Sequence, residues 1–142
     1  MAKLTVLMGA PGAGKSTYAT GKGEVVTTDA ARTNGAAGGD VLHSAYKQIN
    51  QLLSQGKDVV FDTTALNPNV RKAAVGIAQK YGARVDMHVL DTPVDTCVKA
   101  QKGRTNPVSE STVRDMHAAI RRQIPGLKKE GFKSITITRD RK

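Results

Sequence analysis

The stretch Gly9-Ala-Pro-Gly-Ala-Gly-Lys-Ser16 decides the fold class of this chain. It matches the pattern G-x-x-x-x-G-K-[ST] at every fixed position, and it follows the apolar run Lys3–Met8, which is predicted as a buried strand. A helix is predicted over residues 16–22, so the motif has the strand–loop–helix context that it requires. Glycines let backbone N–H groups turn towards a phosphate, and the helix N-terminus adds its dipole. The stretch therefore predicts a nucleoside triphosphate site.

The motif also assigns roles to individual residues. Lys15 is expected to reach the β- and γ-phosphates, which makes it a catalytic residue as well as a binding one. The hydroxyl of Ser16 is expected to ligate Mg²⁺, because this ion prefers oxygen ligands. ATP as phosphoryl donor and Mg²⁺ are thus the predicted cofactors. The predicted ATP-binding residues are Gly9, Ala10, Pro11, Gly12, Ala13, Gly14, Lys15, Ser16 and Thr17.

Strands and helices alternate along the rest of the chain. Four more strands are predicted, at Glu24–Thr28, Asp58–Thr63, Arg84–Leu90 and Ser134–Thr138. Helices are predicted from Asp40 to Gly56 after a glycine-rich loop at 33–40, from Asn67-Pro68 to Gly82, after Thr92-Pro93, and from Ser109 to Pro125-Gly126. This alternation predicts an α/β fold of the P-loop NTPase type, with a five-stranded parallel sheet covered by helices on both faces.

The length and composition indicate one domain in a reducing compartment. With 142 residues, the chain is interpreted as a single domain, residues 1–142, that contains the P-loop. Its one cysteine, Cys97, has no partner for an internal disulfide and is expected in the core. The apolar run before Gly9 is too short for a signal peptide or a membrane span, so a cytoplasmic location is expected.

The charge is strongly positive and unevenly distributed. The formal net charge is +10, with 10 basic and 7 acidic residues in 1–92 but 12 basic and 5 acidic in 93–142. Such asymmetry favours a polyanionic partner such as nucleic acid, although a merely solubilising surface would show the same balance. With two Phe, three Tyr and no Trp, the chain offers no aromatic platform for stacking several bases.

Polar residues follow two predicted strands, where open α/β sheets bind their ligands. Asp29 follows the second strand and could orient an acceptor hydroxyl towards the γ-phosphate, or could simply cap a helix. Arg32 could clamp an anionic group of the acceptor through its planar guanidinium, or could be an ordinary surface residue. Asp62 ends the third strand, where a carboxylate could lie near Mg²⁺ or hold Arg32 in place; the second role is slightly favoured.

A basic segment between two predicted helices is a candidate lid. The stretch QKGRTNP, Gln101 to Pro107, defines a lid at about 101–108 that could close over the nucleotide and bring Arg104 to the transferring phosphoryl group. A plain basic loop is the alternative. His43, His88 and His117 stand on separate predicted elements without metal-ligand spacing, so they are expected to be ordinary surface or helix residues.

Four stretches together resemble the kinase domain of the phage-type 5′-hydroxyl polynucleotide kinases. They are GAPGAGKST at 9–17, TTDAAR at 27–32, FDTTALNPNVRKAA at 61–74, and KGRT at 102–105 followed by VRDM at 113–116. The P-loop is shared with many NTPases, whereas T-D-x-x-R combined with D-T-T-x-L-N-P is far more specific. The resemblance covers nearly the whole chain, which lacks the D-x-D-x-T signature of the 3′-phosphatase domain found in many relatives.

The resemblance implies a role for each candidate residue. Asp29 would be the general base for the 5′-hydroxyl, Arg32 would bind the acceptor phosphate, and Asp62 would support that acceptor site. Arg104 would be the lid arginine on the γ-phosphate, with Lys15 binding the donor phosphates. Ser16 would likewise bind the donor phosphates and Mg²⁺.

The expected function is an ATP-dependent polynucleotide kinase that phosphorylates the 5′ end of DNA or RNA. Nucleic acid repair and, for a phage-encoded protein, the host cytoplasm are the expected setting. Two alternatives stay open: a small-molecule or nucleoside kinase on the same fold, and a nucleotide-gated nucleic-acid-binding protein without catalysis. The sequence does not decide between DNA and RNA, between ATP and GTP, or among oligomeric states.

Overall fold

The computed structural model describes residues 2–14, 21, 23–27, 38–63, 66–104 and 108–139. Five strands form one parallel sheet in the order β2-β3-β1-β4-β5, which confirms the predicted sheet. A parallel sheet needs a crossover between consecutive strands, which explains the helices between β2 and β5. The strands are β1 (Lys3–Gly9), β2 (Glu24–Thr27), β3 (Val59–Asp62), β4 (Arg84–Leu90) and β5 (Ser134–Thr138).

The central strand β1 is buried on both of its faces. Leu4, Val6 and Met8 lie in the main core, whereas Leu7 forms a second buried cluster with Val60. Because successive side chains of a strand point to opposite faces, these two clusters lie on opposite sides of the sheet. Burial on both faces is what a parallel α/β sheet requires.

Four α-helices and one 3₁₀-helix pack around this sheet in the described part of the chain. The second and fourth helices begin as predicted: Asn67 accepts a hydrogen bond from the Asn69 N–H, and Ser109 accepts one from the Thr112 N–H. Cys97 is buried in the core, as predicted, and forms no disulfide with any described residue. No helix of the described residues is long and apolar enough to cross a membrane. The helices are α1 (Gly38–Ser54), α2 (Pro68–Lys80), α3 (Val94–Lys102), α4 (Glu110–Gln123) and the 3₁₀-helix Ile124–Lys129.

One predicted boundary is wrong, a second is confirmed, and one predicted helix lies almost entirely outside the described residues. Helix α1 begins at Gly38, so Asp40 lies inside the helix instead of capping it; the glycine pair had predicted loop, but helical hydrogen bonding continues through it. Helix α4 ends at Gln123, two residues before Pro125, which confirms the predicted stop at Pro125-Gly126; a 3₁₀-helix follows it, and proline near its start loses no hydrogen bond there. The helix predicted at 16–22 lies outside the described residues except Gly21, as does the loop at 33–37.

A buried ion pair joins α2 to the segment that follows α4. Arg71 is almost fully buried and donates to both carboxylate oxygens of Glu130, at 2.6 Å from Nε and 2.9 Å from Nη2. Its Nη1 also donates to the Gln123 side chain at 2.7 Å. This two-pronged pairing compensates the guanidinium for its loss of water, and it fixes the helix that follows β3 against the segment that leads to β5.

Candidate active site

The phosphate loop follows β1, and the fold requires glycine at one of its positions. Gly12 and Gly14 have φ angles of 85° and 99°, which side chains rarely tolerate. A Cβ on Gly12 would also lie 2.4 Å from the backbone oxygen of Cys97 in α3. The loop is therefore pressed directly against α3, and any larger residue at position 12 would push the two apart. Binding of a phosphate by residues 9–17 stays a prediction.

The loop is held from the β4 side by a threonine that the motif did not single out. Thr92 follows β4 and donates a hydrogen bond of 2.8 Å from its hydroxyl to the backbone oxygen of Ala13. The backbone oxygen of Thr92 in turn accepts a 2.8 Å hydrogen bond from Nε2 of His117 in α4. His117 was predicted to be an ordinary helix residue. It also links α4 to Thr92, the residue that supports the phosphate loop.

Asp62 lies at the carboxyl end of β3, beside the phosphate-loop strand. The residue is only 3% exposed, and it is the register partner of Thr27 at the end of β2. In sequence, Thr27 precedes the predicted site residue Asp29 by two residues. The carboxyl ends of β2 and β3 are called the acceptor side below. A buried carboxylate in this place fits a part in binding or positioning charged groups.

Several predicted site residues lie outside the described residues. They are Lys15, Ser16, Thr17, Asp29 and Arg32. Their predicted roles therefore stay predictions.

Arg104 lies just beyond α3 and is exposed. Its backbone N–H donates to the carbonyl oxygen of Gln101 at 3.0 Å. The structure corrects the predicted lid in one respect, because Gln101 and Lys102 belong to the last turn of α3 and are not loop. Residues 105–107 lie outside the described part of the chain.

A buried carboxylate with two arginines stands on the other side of β1. Asp91 follows β4 and is 4% exposed. Its oxygens accept from Nε of Arg121 at 3.2 Å and from Nε of Arg139 at 3.4 Å, and its backbone N–H donates to the Thr138 oxygen at 2.7 Å. The carboxyl ends of β4 and β5, with Asp91 and these arginines, are called the basic side below. Sequence reasoning missed this cluster, although the pair Asp-Thr after β4 repeats the pair at the end of β3.

Two helices that flank the lid are also linked at their surface. Arg114 of α4 donates to Glu110 at 3.0 Å and to Asp95 of α3 at 2.9 Å. Hydrogen bonds first from Glu110 and then from Asp95 raise the pKa of the Arg114 guanidinium, which stays charged throughout the working pH range. The residues of this cluster are exposed, so the link orients the helices more than it stabilises them.

The described residues hold no group of three or more His, Cys, Asp or Glu side chains that could form a metal cage. This finding does not bear on Mg²⁺, which is typically bound through one or two oxygen ligands together with substrate phosphates and waters. The buried carboxylate of Asp62 is a group of that kind, so the residues present fit the ion.

Fold and site together define a P-loop α/β domain of the kinase type. The phosphate loop follows the central strand, and the buried Asp62 lies at the end of the neighbouring strand. The chain belongs to the family described as AAA domain, whose family model matches residues 4–123. No curated protein is similar enough in sequence to match it.

Solved structures confirm the fold. A candidate kinase from Chloroflexus aurantiacus has 17% sequence identity and a TM-score of 0.68, covering 97% of this chain and 89% of that chain. The Pnkp1/Rnl/Hen1 complex contains a chain with 19% identity and a TM-score of 0.60, covering 98% and 70%. A gluconokinase from Sinorhizobium meliloti has 16% identity and a TM-score of 0.61, covering 96% and 82%. At these identities the likeness shows the fold alone.

Proposed function

We propose that this protein transfers the γ-phosphoryl group of ATP to the 5′-hydroxyl end of DNA or RNA. The observation that carries the proposal is the position of Asp62, buried at the end of β3 and in register with Thr27 at the end of β2. Because both strands end at one edge of the sheet, beside the phosphate loop, the predicted acceptor residues that follow them would meet there. The fold likeness to a chain of the Pnkp1/Rnl/Hen1 complex supports the same assignment.

In the proposed reaction, Asp29 accepts the proton of the 5′-hydroxyl as the oxygen attacks the γ-phosphorus. The bond between the γ-phosphorus and the bridging oxygen breaks, and ADP leaves with the electron pair. Phosphoryl transfer needs mainly positioning and charge neutralisation, so an aspartate of ordinary basicity is sufficient. Arg32 holds the acceptor phosphate next to the reacting hydroxyl, and Asp62 holds Arg32 in place.

The donor phosphates are bound by the phosphate loop and its neighbours. Backbone N–H groups of the loop and the Lys15 ammonium neutralise the β- and γ-oxygens, and Arg104 reaches the transferring group from the lid. Mg²⁺ would be held by the hydroxyl of Ser16, and when bound it would neutralise charge on the phosphate oxygens. Gly12 has no side chain, so the loop backbone can lie directly against Cys97 of α3.

The basic side would hold phosphates farther along the strand. Arg121 and Arg139 stand at the same edge of the sheet as the phosphate loop, and both guanidiniums are exposed beyond their contact with Asp91. If about four phosphates are neutralised on a single strand, the logarithm of the affinity should fall with the logarithm of the salt concentration at a slope of about −2.8.

A small-molecule or nucleoside kinase is the second candidate, and one observation favours it. The excess of basic residues in 93–142 lies largely on α3, α4, the 3₁₀-helix and the segments around β5. In the sheet order, β1 separates β4 and β5 from the acceptor side. A small acceptor would not need those cations. The fold likeness to a gluconokinase is in line with this candidate. The third candidate, a nucleotide-gated binding protein, would need no acceptor base.

A comparison of acceptors separates the candidates. Purified protein is incubated with Mg²⁺ and γ-labelled ATP, and with either a 5′-hydroxyl oligonucleotide or a panel of nucleosides and sugars. The proposal expects label on the oligonucleotide at a rate well above that on any small acceptor. Label on a small acceptor alone would replace the proposal by the second candidate. Oligonucleotide binding that responds to ATP without any transfer would replace it by the third.

A further inference from the structure

Both backbone polar groups of Ala13 are bound inside the protein. Ala13 follows β1 in the described part of the phosphate loop and is only 1% exposed. Its N–H donates to the backbone oxygen of Ala10 at 3.0 Å, and its carbonyl oxygen accepts from the Thr92 hydroxyl at 2.8 Å. A buried backbone carbonyl needs such a partner. The Thr92 hydroxyl therefore determines the direction in which the Ala13 carbonyl points.

The direction of this carbonyl also determines the direction of the next N–H group. The peptide bond between Ala13 and Gly14 is trans. In a planar trans peptide, the C=O and N–H groups point to opposite sides of the C–N bond. Because the Ala13 carbonyl points towards Thr92, the Gly14 N–H points away from it. Gly14 is only half-buried, so the loop turns from the protein interior towards the surface at this peptide.

Thr92 is itself held by two helices. It is 1% exposed, and its backbone oxygen accepts from Nε2 of His117 in α4 at 2.8 Å and from Sγ of Cys97 in α3 at 3.7 Å. A carbonyl oxygen can only accept a hydrogen bond, so Nε2 of His117 carries a proton. The backbone that carries the Thr92 hydroxyl is therefore fixed from both α3 and α4.

We propose that Thr92 is a positioning residue that turns the Gly14 N–H towards the donor phosphates. The inference rests on the proposed function for the nature of the anion, but the orientation of the Ala13–Gly14 peptide can be tested without it. An N–H group that is already oriented binds a phosphate oxygen without a further loss of conformational entropy. Without the Thr92 hydroxyl this peptide would be free to rotate, and the Ala13 carbonyl would then repel the phosphates.

The first test measures the peptide orientation in the absence of nucleotide. Thr92→Val removes the hydroxyl and keeps the shape of the side chain, whereas Thr92→Ser keeps the hydroxyl. Thr92→Val should shift the Gly14 amide resonance in proton–nitrogen NMR spectra and raise the exchange rate of the Ala13 N–H on the order of tenfold. Thr92→Ser should restore both values. Wild-type values in Thr92→Val, or equal changes in the two variants, would overturn the inference.

The second test asks whether the oriented N–H binds phosphate, with MgADP as the probe. The wild-type Gly14 amide proton should move downfield when MgADP binds. Thr92→Val should raise the Kd for MgADP about tenfold, and Thr92→Ser should leave it within about twofold of the wild-type value. Bound MgADP without a downfield shift in the wild type would overturn the inference, even if Thr92→Val does not fold. An unchanged Kd in Thr92→Val would overturn it as well. If the wild type binds no MgADP, the proposed function fails, and the nucleotide-free spectra still decide the peptide orientation.

A control separates positioning from a general loss of stability. Tyr81→Phe removes a hydroxyl that donates to the Asn50 side chain at 3.0 Å, between α1 and the end of α2. Tyr81→Phe and Thr92→Val each lose one hydroxyl hydrogen bond, and each should lower the melting temperature by about 2–5 °C. Only Thr92→Val should weaken MgADP binding. An equal rise in Kd in both variants would mean that Thr92 acts only through stability and would overturn the positioning role.

Discussion

The two strands that flank β1 end in the same dipeptide but in different surroundings. At the end of β3 stand Asp62 and Thr63, and after β4 stand Asp91 and Thr92. Both aspartates are buried at the carboxyl edge of the sheet, at 3% and 4% exposure. Asp91 is neutralised by two exposed arginines, and Thr92 supports the phosphate loop. Asp62 instead adjoins Thr27 at the end of β2.

The same local pattern therefore meets different neighbours on the two sides of the phosphate loop. On the basic side the aspartate orients arginines, and its threonine fixes the loop backbone. On the acceptor side the proposal gives the same residue type a part in catalysis. The type of residue at a strand end does not decide its role, because the strand order determines which groups it meets.

The largest effect is expected on the acceptor side. Asp29→Ala should lower turnover by roughly 10²–10⁴, because the attacking hydroxyl loses its proton acceptor. ATP affinity, measured by calorimetry, should stay within about twofold of the wild-type value, since the variant removes no interaction that binds ATP before the reaction. Wild-type turnover in this variant would remove the assigned base.

The loop between the two sides should be highly sensitive to a single methyl group. Gly12→Ala adds a Cβ 2.4 Å from the Cys97 oxygen at a positive φ, and it should lower the free energy of unfolding by about 3 kcal/mol. Gly56→Ala is the matched control, because Gly56 also has a positive φ but has open space around it. It should cost only about 1 kcal/mol in urea unfolding. Equal costs would mean that the approach of α3 to the loop does not matter.

The buried ion pair between Arg71 and Glu130 should contribute more to the free energy of unfolding than a surface pair does. Arg71→Met leaves Glu130 without its partner and should lower the free energy of unfolding by about 2–3 kcal/mol, discounted because Glu130 is partly exposed. Arg84→Met breaks an exposed pair with Asp86 and should cost less than about 1 kcal/mol. Denaturant unfolding of both variants measures the two losses. Similar losses in free energy of unfolding would contradict this prediction.

Exchanging one oxygen for nitrogen compares the two aspartates directly. Asp62→Asn should lower turnover about 10–100-fold. In the proposed site Asp62 holds Arg32 in place, and the variant would remove the carboxylate that orients this guanidinium. Asp91→Asn should change turnover less than about threefold and should mainly free Arg121 and Arg139. Steady-state kinetics on both variants, at matched folded fractions, checks this. A larger loss of turnover in Asp91→Asn than in Asp62→Asn would place the reacting groups on the basic side.

The smallest expected effect concerns the path of the nucleic acid strand. Arg121→Gln together with Arg139→Gln should make the salt dependence of oligonucleotide binding shallower by about 0.7 for each phosphate that the variant no longer neutralises. Fluorescence anisotropy over a range of salt concentrations measures the slope. An unchanged slope would place the strand away from the basic side.

The sequence predicted the sheet well because its signals are local. The glycines, lysine and serine of the phosphate loop have a fixed spacing, and the pair Asn67-Pro68 predicts the start of helix α2. Asp62 could be singled out because it ends an apolar run. The Asp91 cluster could not, because Arg121 and Arg139 come 30 and 48 residues later and meet it only after folding. Gln101 is missed for the same reason: the sequence predicts a loop there, whereas the residue lies in the last turn of α3 and its side-chain oxygen accepts from the Val108 N–H.

The most direct measurement of the central claim compares two forms of one oligonucleotide. With γ-labelled ATP and Mg²⁺, the account predicts rapid label incorporation into the strand that carries a free 5′-hydroxyl, and none into the same strand already phosphorylated at that end. Equal incorporation into both strands, or into neither, would contradict the claim that the acceptor side delivers a 5′-hydroxyl to the γ-phosphate.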